Sequence, residues 1–314
     1  MDRVDAMRMF LAAVDTGSFS AASRQLQISL ATVSRRVAEL EEHLDARLLL
    51  RGTRKLELTD AGRALVDSCR RIVEDVAEAE RVAAGEFRVP QGELVISTPT
   101  VMGRTHVVPV AVDFLNAYPS ISLRVQFTER KVNLLEEHVD VALRIGALPD
   151  SNLVAVPVGL IRQVLCASPA YLEHRGAPKV PEDLINHHCV TYESVYVTKD
   201  RWEFSVKGNA STIQVPSRVV VNSLDAALAA ALAGAGIARV MSYQVDDLVD
   251  AHKLVPLLEG FEPAPLPANL IYPGQRCVPQ KLRAFLDFAV PRLRERLAKH
   301  ASLPLCAGLR PQSD

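Results

Sequence analysis

The first 89 residues contain no proline, and all 19 prolines of the chain fall at or after Pro90. Proline removes a backbone donor and clashes with the preceding helical turn. A long proline-free run rich in Ala, Leu, Val and Arg is therefore free to be almost wholly helical, and the remainder is not. The 314 residues suit about two domains at roughly 150 residues each. Beyond Pro90, short β-rich runs alternate with helical patterns: ELVIST at 93–98, a helix around 105–117, ISLRVQF at 121–127, a helix around 131–138 and VALRI at 141–145. In ISLRVQF the apolar Ile121, Leu123, Val125 and Phe127 recur every second residue, as one face of a strand requires. Strands alternating with short helices predict an α/β sheet.

Composition excludes several classes. Hydrophobic residues make up 48% and charged residues 23%, a folding chain rather than a disordered one. The longest uncharged apolar stretch, 226–238, falls short of the roughly 20 residues of a membrane span. The first residues carry Asp2, Arg3, Asp5 and Arg8 with no apolar core for a signal peptide, so a cytoplasmic protein with no membrane partner is expected. Five singly scattered cysteines fit free thiols in a reducing compartment. The motifs GxSxG, HExxH, GxGxxG and the Walker loop are all missing. Gly234-Ala235-Gly236 follows an Ala-rich run and reads as a helix C-cap. His187, His188 and Cys189 are adjacent, so in a strand only His187 and Cys189 share a face. No catalytic residue, metal or cofactor is expected. The 36 basic residues are balanced by 37 acidic ones, which excludes a uniformly basic nucleic-acid binder. Any DNA binding must come from a local patch, doubled by oligomerisation.

Such a patch is legible in the first sixty residues. A helix fits Val4 to Val14, ending near Gly17, and a second fits Ser20 to Leu26. After a tight turn at Gln27-Ile28, Ser29 can cap a third helix from Leu30 to about Leu44. Val33, Val37, Leu40 and Leu44 form its buried stripe. Its other face carries Ala31, Thr32, Arg35, Arg36 and Glu39, with Ser34 nearby. Two helices, a short turn and a third helix bearing hydroxyl and Arg side chains make a helix-turn-helix pattern, whose third helix would enter the major groove. The runs 48–50 and 55–58 flank a basic turn and read as a β-wing, with Arg51, Arg54 and Lys55 for backbone or minor-groove contact. The plainer alternative is a small helical bundle with solvated arginines. From Arg24 to Arg63 there are only eight basic against six acidic residues.

Thr59 and Asp60 can begin a helix from Ala61 to about Ala84. Leu65, Cys69, Ile72, Val76, Ala79 and Ala83 follow alternating steps of four and three, the a/d seam of a coiled coil flanked by charge. The alternative is an amphipathic helix lying on its own domain. A two-fold dimer is favoured because readers of this kind need two half-sites.

The stretches GSFSAAS (17–23), ATVSRRVAELE (31–41), the arginine wing and LTDAG (58–62) resemble, in order and spacing, the winged helix-turn-helix of LysR-type transcriptional regulators. Two places depart from the usual form: Gln27, where a glycine is common, and Leu50-Arg51-Gly52, where an aromatic and a hydroxyl residue are often seen. Further on, FLNAYPSISLRV, DVALRIG, VLCASPAYL, ALAAALAGAGIARV, DDLVDAHKLVPLL and QKLRAFLDF resemble the family's ligand-sensing domain. The resemblance implies an α/β multidomain chain. It would comprise a winged helix-turn-helix over 1–60, a linker and dimerisation helix over 61–89, and a periplasmic-binding-protein-like effector domain over 90–300. Lobe one would span 91–162 and 268–298, lobe two 163–267, and 301–314 would be a frayed tail. It further implies promoter DNA, a small effector that is commonly an organic or aromatic acid, and a homodimer or homotetramer.

In such a fold small ligands sit at strand carboxyl ends near helix N-termini. ELVIST ends in Thr98 and is followed by Pro99, Thr100 and Met102 before a helix near Thr105, which suits an anion. Thr128 ends the next strand; Arg144 and Gly146 end another, and Arg144 can pair a carboxylate. Asn222 lies where 218–221 stops, before a helix from Leu224 to Ala233. Ser194, within 192–196, offers a cleft hydroxyl. The plainer alternatives are strand or cap roles for Thr98, Thr100 and Asn222, and a structural ion pair for Arg144. A rival of another class is a small-molecule-binding protein or enzyme whose helical N-terminus makes only protein contacts.

Overall fold

The computed structural model describes residues 2–51, 56–83, 89–148, 152–193, 200–274 and 278–301. The chain divides into two compact units, 1–89 and 90–314. The first begins with three helices, α1 (Arg3–Thr16), α2 (Phe19–Leu26) and α3 (Leu30–His43). Each has a side-chain N-cap: Asp2, Ser18 and Ser29 accept from free amides of the first turn. Gly17 ends α1 in the left-handed region at φ +66, and Gln27 ends α2 there at φ +56. Strands β1 (Leu49–Arg51) and β2 (Leu56–Leu58) pair antiparallel, with Leu49 opposite Leu58. The Glu41 carboxylate accepts from the Leu48 and Leu49 amides at 2.8 and 3.1 Å, which ties β1 to the end of α3. Phe10, Ala13, Ala22, Val33, Val37, Leu40 and Leu48 form the buried centre.

Thr59 then caps α4 (Asp60–Ala83), its Oγ1 accepting from the Gly62 amide at 2.9 Å. A Cβ at Gly62 would lie 2.1 Å from the Leu48 carbonyl oxygen, so only glycine lets α4 start this close to β1. The expected seam along α4 is corrected in part. Cys69 is wholly buried in the core of its own unit, with Leu65, Val66 and Val73 packed beside it. Arg70 pairs with Asp15, and Arg8 lies 3.9 Å from Glu80, so α4 runs along α1. Ile72 and Ala79 face outward. The apolar positions thus serve two faces, and only one of them is free for a partner.

The second unit opens with β3 (Gly92–Thr98), α5 (Thr100–Met102), a π-helical turn (Gly103–Val107), α6 (Val108–Ala117), β4 (Ile121–Phe127), β5 (Val141–Ile145) and β6 (Leu153–Ile161). It continues through β7 (Gln163–Ala167), α7 (Pro169–Arg175), β8 (Cys189–Tyr192), the hairpin β9 (Arg201–Val206) and β10 (Asn209–Gln214), β11 (Ser217–Val221), α8 (Leu224–Leu232), β12 (Ile237–Met241), α9 (Ser242–Asp250) and β13 (Val255–Leu257). It closes with β14 (Leu266–Pro273) and α10 (Gln280–Ala301).

Two five-stranded sheets define two lobes, in the orders β4-β3-β5-β14-β6 and β11-β8-β12-β7-β13. In the first, β3 is parallel to β4 and β5 while β14 runs antiparallel to β5 and β6. Phe114 of α6 and Phe285 of α10 meet edge to face at 5.3 Å in its core. The main chain crosses between sheets twice, at Arg162 and over 258–265. The Ser242 amide donates to the Arg162 carbonyl at 3.0 Å, and Arg162 pairs with Glu262 at 3.2 Å, both side chains nearly buried at 13% and 10% exposure.

Two expected helices differ. The helix placed near 105 begins at Thr100, because the Glu129 carboxylate accepts from the Thr100 amide at 2.9 Å and caps the start. Residues 131–138 form no helix; 131–133 are irregular and 134–138 are turns. There the Asn133 side chain accepts from the Leu135 amide at 3.2 Å, and the Glu137 carboxylate accepts from the Asn133 amide at 3.1 Å, an alternative to helical bonding. Among the described residues no helix is long and apolar enough to cross a membrane.

Candidate nucleic-acid interface and effector cleft

The exposed side of α3 lies opposite Val33, Val37 and Leu40, all fully buried. Ser29 sits at the N-terminus with its hydroxyl 2.8 Å from that of Thr32. Ala31 is exposed and Ser34 half-buried. Arg35 is 66% exposed, only 3.8 Å from Glu39 as its neighbour of opposite charge. Arg36 differs from the expectation of an equally free guanidinium. It is 30% exposed and donates to Glu39 at 2.9 Å. The reason is angular: Arg36 is next to Val37 and one turn from Val33 and Leu40, on the flank of the buried stripe, whereas Arg35 projects from the outer face. Arg51 ends β1 and so stands at the base of the wing. Arg54 and Lys55, expected at its tip, lie outside the described residues. A helix presenting hydroxyls and one extended guanidinium beyond a two-helix turn has the form that fits a major groove.

In the second unit, strand ends of the first lobe meet the start of α8 from the second. Thr98 is fully buried, and its carbonyl accepts from the Thr128 amide at 3.0 Å, joining the ends of β3 and β4. Thr100 is exposed, with its amide held by Glu129. Arg144 turns inward, donating to the Leu143 carbonyl at 2.9 Å and to Ser97 Oγ at 3.1 Å. Burial lowers its pKa, opposed by the nearby Glu129 and Glu137 carboxylates. Among the described residues Arg144 is therefore positioned by strand atoms rather than by the expected alternative of a direct ion pair. Asn222 is exposed at the end of β11, and Ser223 caps α8 through the Ala226 amide at 3.5 Å.

Two expected contacts are corrected. Met102 is fully buried in the core of the first lobe, because the helix begins earlier than expected and turns that side chain inward. The Gly146 amide already donates to the Pro267 carbonyl at 2.9 Å, at a φ of +105 that favours glycine. Ser194 lies outside the described residues. Three side chains were missed. Glu129 fills the anion position at Thr100 with a carboxylate of the protein itself. Arg104, from the π-helical turn, reaches Asp225 of α8 at 3.6 Å and spans the lobes. Tyr243 is buried and its pKa is raised, first by burial and then by Glu129 and Asp225. An acidic residue directly after a strand end and another in a first helical turn were the only sequence signals. A separate groove of about 500 Å³ lies between β6, β14 and α10 and includes none of these residues.

Comparison with known proteins gives two family models in tandem. Residues 4–63 match the bacterial regulatory helix-turn-helix protein model of the lysR family, and residues 87–294 match the LysR substrate binding domain. An uncharacterized HTH-type transcriptional regulator of Haemophilus influenzae is 34% identical over 282 residues, covering 90% of this chain and 98% of that protein. The structure of CrgA, a LysR-type transcriptional regulator from Neisseria meningitidis, is 33% identical with a TM-score of 0.60, covering 92% of this chain and 98% of that one. The full-length structure of AphB, a virulence activator of Vibrio cholerae, is 27% identical with a TM-score of 0.58, covering 91% and 98%.

Proposed function

This chain belongs to the LysR family of bacterial transcriptional regulators, with a DNA-binding helix-turn-helix and an effector-binding domain, and from that premise we propose that its effector is a small organic or aromatic acid bound between the lobes. The observation that carries this reading is Arg144: a half-buried guanidinium at a strand end, oriented by Ser97 and the Leu143 carbonyl, beside a helix start whose first amide already holds a carboxylate. An effector carboxylate pairs with Arg144 and competes with Glu129 for the Thr100 amide, with Thr128 and Asn222 at the rim. Freed Glu129 and the Arg104–Asp225 pair then differ between open and closed lobes. That difference is what a ligand needs in order to shift a two-state equilibrium.

DNA is read by Ser29, Ala31, Thr32, Ser34 and Arg35 on α3, with Arg36 on its flank and Arg51, Arg54 and Lys55 at the wing. A homodimer, or a tetramer built from two, joins through the outer face of α4 around Ile72 and presents paired α3 helices to two half-sites. The cytoplasm is where such a protein meets promoter DNA.

A panel of carboxylic acids in a thermal-melting assay tests the effector class. A cognate acid should raise the melting midpoint of the full chain, and Arg144→Ala should abolish that rise while leaving the unliganded midpoint within a few degrees. A full shift in the variant places the effector elsewhere.

A further inference from the structure

On the second lobe, basic side chains meet at the end of the sheet away from the cleft. His188 immediately precedes β8. Its amide donates to Tyr171 Oη at 2.9 Å and its carbonyl accepts from the Ile237 amide at 2.9 Å, so the ring stands on a fixed base. Arg218 Nη1 lies 2.7 Å from its Nδ1, and Arg175 Nη2 lies 3.3 Å from its Nε2. Strand β11 runs parallel to β8, with Ser217 opposite Cys189, so Arg218 is at the amino end of β11 and Asn222 lies beyond its carboxyl end. Those two positions are separated by roughly 13 Å of strand.

The donor count does not close. A guanidinium has five N–H donors and no acceptor, and a neutral imidazole has one of each. At most one of the two arginine contacts is a hydrogen bond. The shorter one makes Nδ1 the acceptor, which leaves the Nε2 hydrogen facing the N–H groups of Arg175. Among the described residues no carboxylate enters the cluster. The His188 pKa is held below its ordinary value by burial and then by Arg218, Arg175 and His187, and no negative group opposes them. Two donors, the Nε2 hydrogen and the Arg175 guanidinium, thus face each other with no acceptor between them, while Arg218 stands at the other ring nitrogen.

We propose that Arg175, His188 and Arg218 form a second ligand site, separate from the interlobe cleft, for a tetrahedral oxyanion such as a phosphate group. One anion oxygen accepts from Arg175 and from Nε2 of His188. A second accepts from Arg218, which releases Nδ1 to take up a proton. Binding therefore favours the imidazolium form, and affinity rises as pH falls.

Calorimetric titration of the full chain with sulfate, whose charge is the same at pH 6 and pH 8, tests this. One saturable site per chain is expected, roughly threefold or more tighter at pH 6. Arg175→Gln and Arg218→Gln should each weaken it by about tenfold. Both arginines are exposed, so circular dichroism should show an unchanged fold. His188→Gln should keep binding but lose the pH dependence. Inorganic phosphate compared with a phosphate monoester then separates a free ion from a phosphorylated metabolite as the natural source. The proposal is overturned if sulfate does not saturate. It is equally overturned if binding survives both arginine variants and disappears with Arg35→Ala or Arg144→Ala, which would put the anion on α3 or in the cleft.

Discussion

Gln27 holds a left-handed backbone at φ +56 between α2 and α3, with its amide bonded to the Arg24 carbonyl. That conformation costs a residue with a Cβ about 1 kcal/mol or more, and glycine almost nothing. Part of the gain from Gln27→Gly is returned as greater freedom in the unfolded chain. The variant should therefore be more stable by about 0.5–1 kcal/mol, seen as a higher urea midpoint at unchanged slope; an unchanged or lower midpoint would contradict the strain. At this scale the sequence was readable where one periodicity decides the outcome. Val33, Val37 and Leu40 are all fully buried, whereas Leu44 is 40% exposed because the helix stops at His43. It was unreadable where the partner is distant: Glu129 meets Thr100 across 29 residues, and nothing local marks the pairing. The thiols show the same limit. Spacing puts Cys69 in a seam facing a partner, whereas it is buried in the core of its own unit, where burial pushes its pKa up to about 11 and makes it inert.

Among the elements, α4 divides its apolar positions between its own domain and an outer face, which a single strip of heptads could not reveal. If the outer face joins two chains, Ile72→Asp should weaken dimerisation at least about tenfold, since a charge replaces a contact at the centre of the interface. A sizing column run over a dilution series reads this. An unchanged dimer would place the interface elsewhere, and because Ile72 is 41% exposed the fold itself should survive. The crossovers between the lobes carry a second prediction. Burial pushes Glu262 up to about 6 from 4.5, against the pull of Arg162. The folded state then binds this proton more tightly than the unfolded chain, so its contribution to stability falls as pH rises from about 4.5 to about 6 and is constant above. The change amounts to about 2 kcal/mol. Glu262→Gln should remove that part of the slope in urea midpoints measured at pH 4.5 and 6.5. An identical slope in both proteins would show that Glu262 ionises normally. The alternation of strand and helix was legible after Pro90, but not the register of the crossovers, because hinge contacts join residues from both sheets.

For the whole molecule, a formal net charge of −1 leaves no general attraction for a polyanion, so binding has to be concentrated on one outward helix face and its wing. If α3 is the reading helix, Arg35 supplies the exposed guanidinium there, and Arg36 has to leave Glu39 to join it. The measurement that tests this most directly is fluorescence anisotropy of the full chain on the intergenic DNA upstream of its own gene, across a salt series. The affinity should fall steeply with salt, and Arg35→Ala combined with Arg36→Ala should reduce it to the level of unrelated DNA with the melting midpoint retained. A salt-independent affinity, or a double variant that binds as the parent does, would contradict the assignment of α3 as the reading helix.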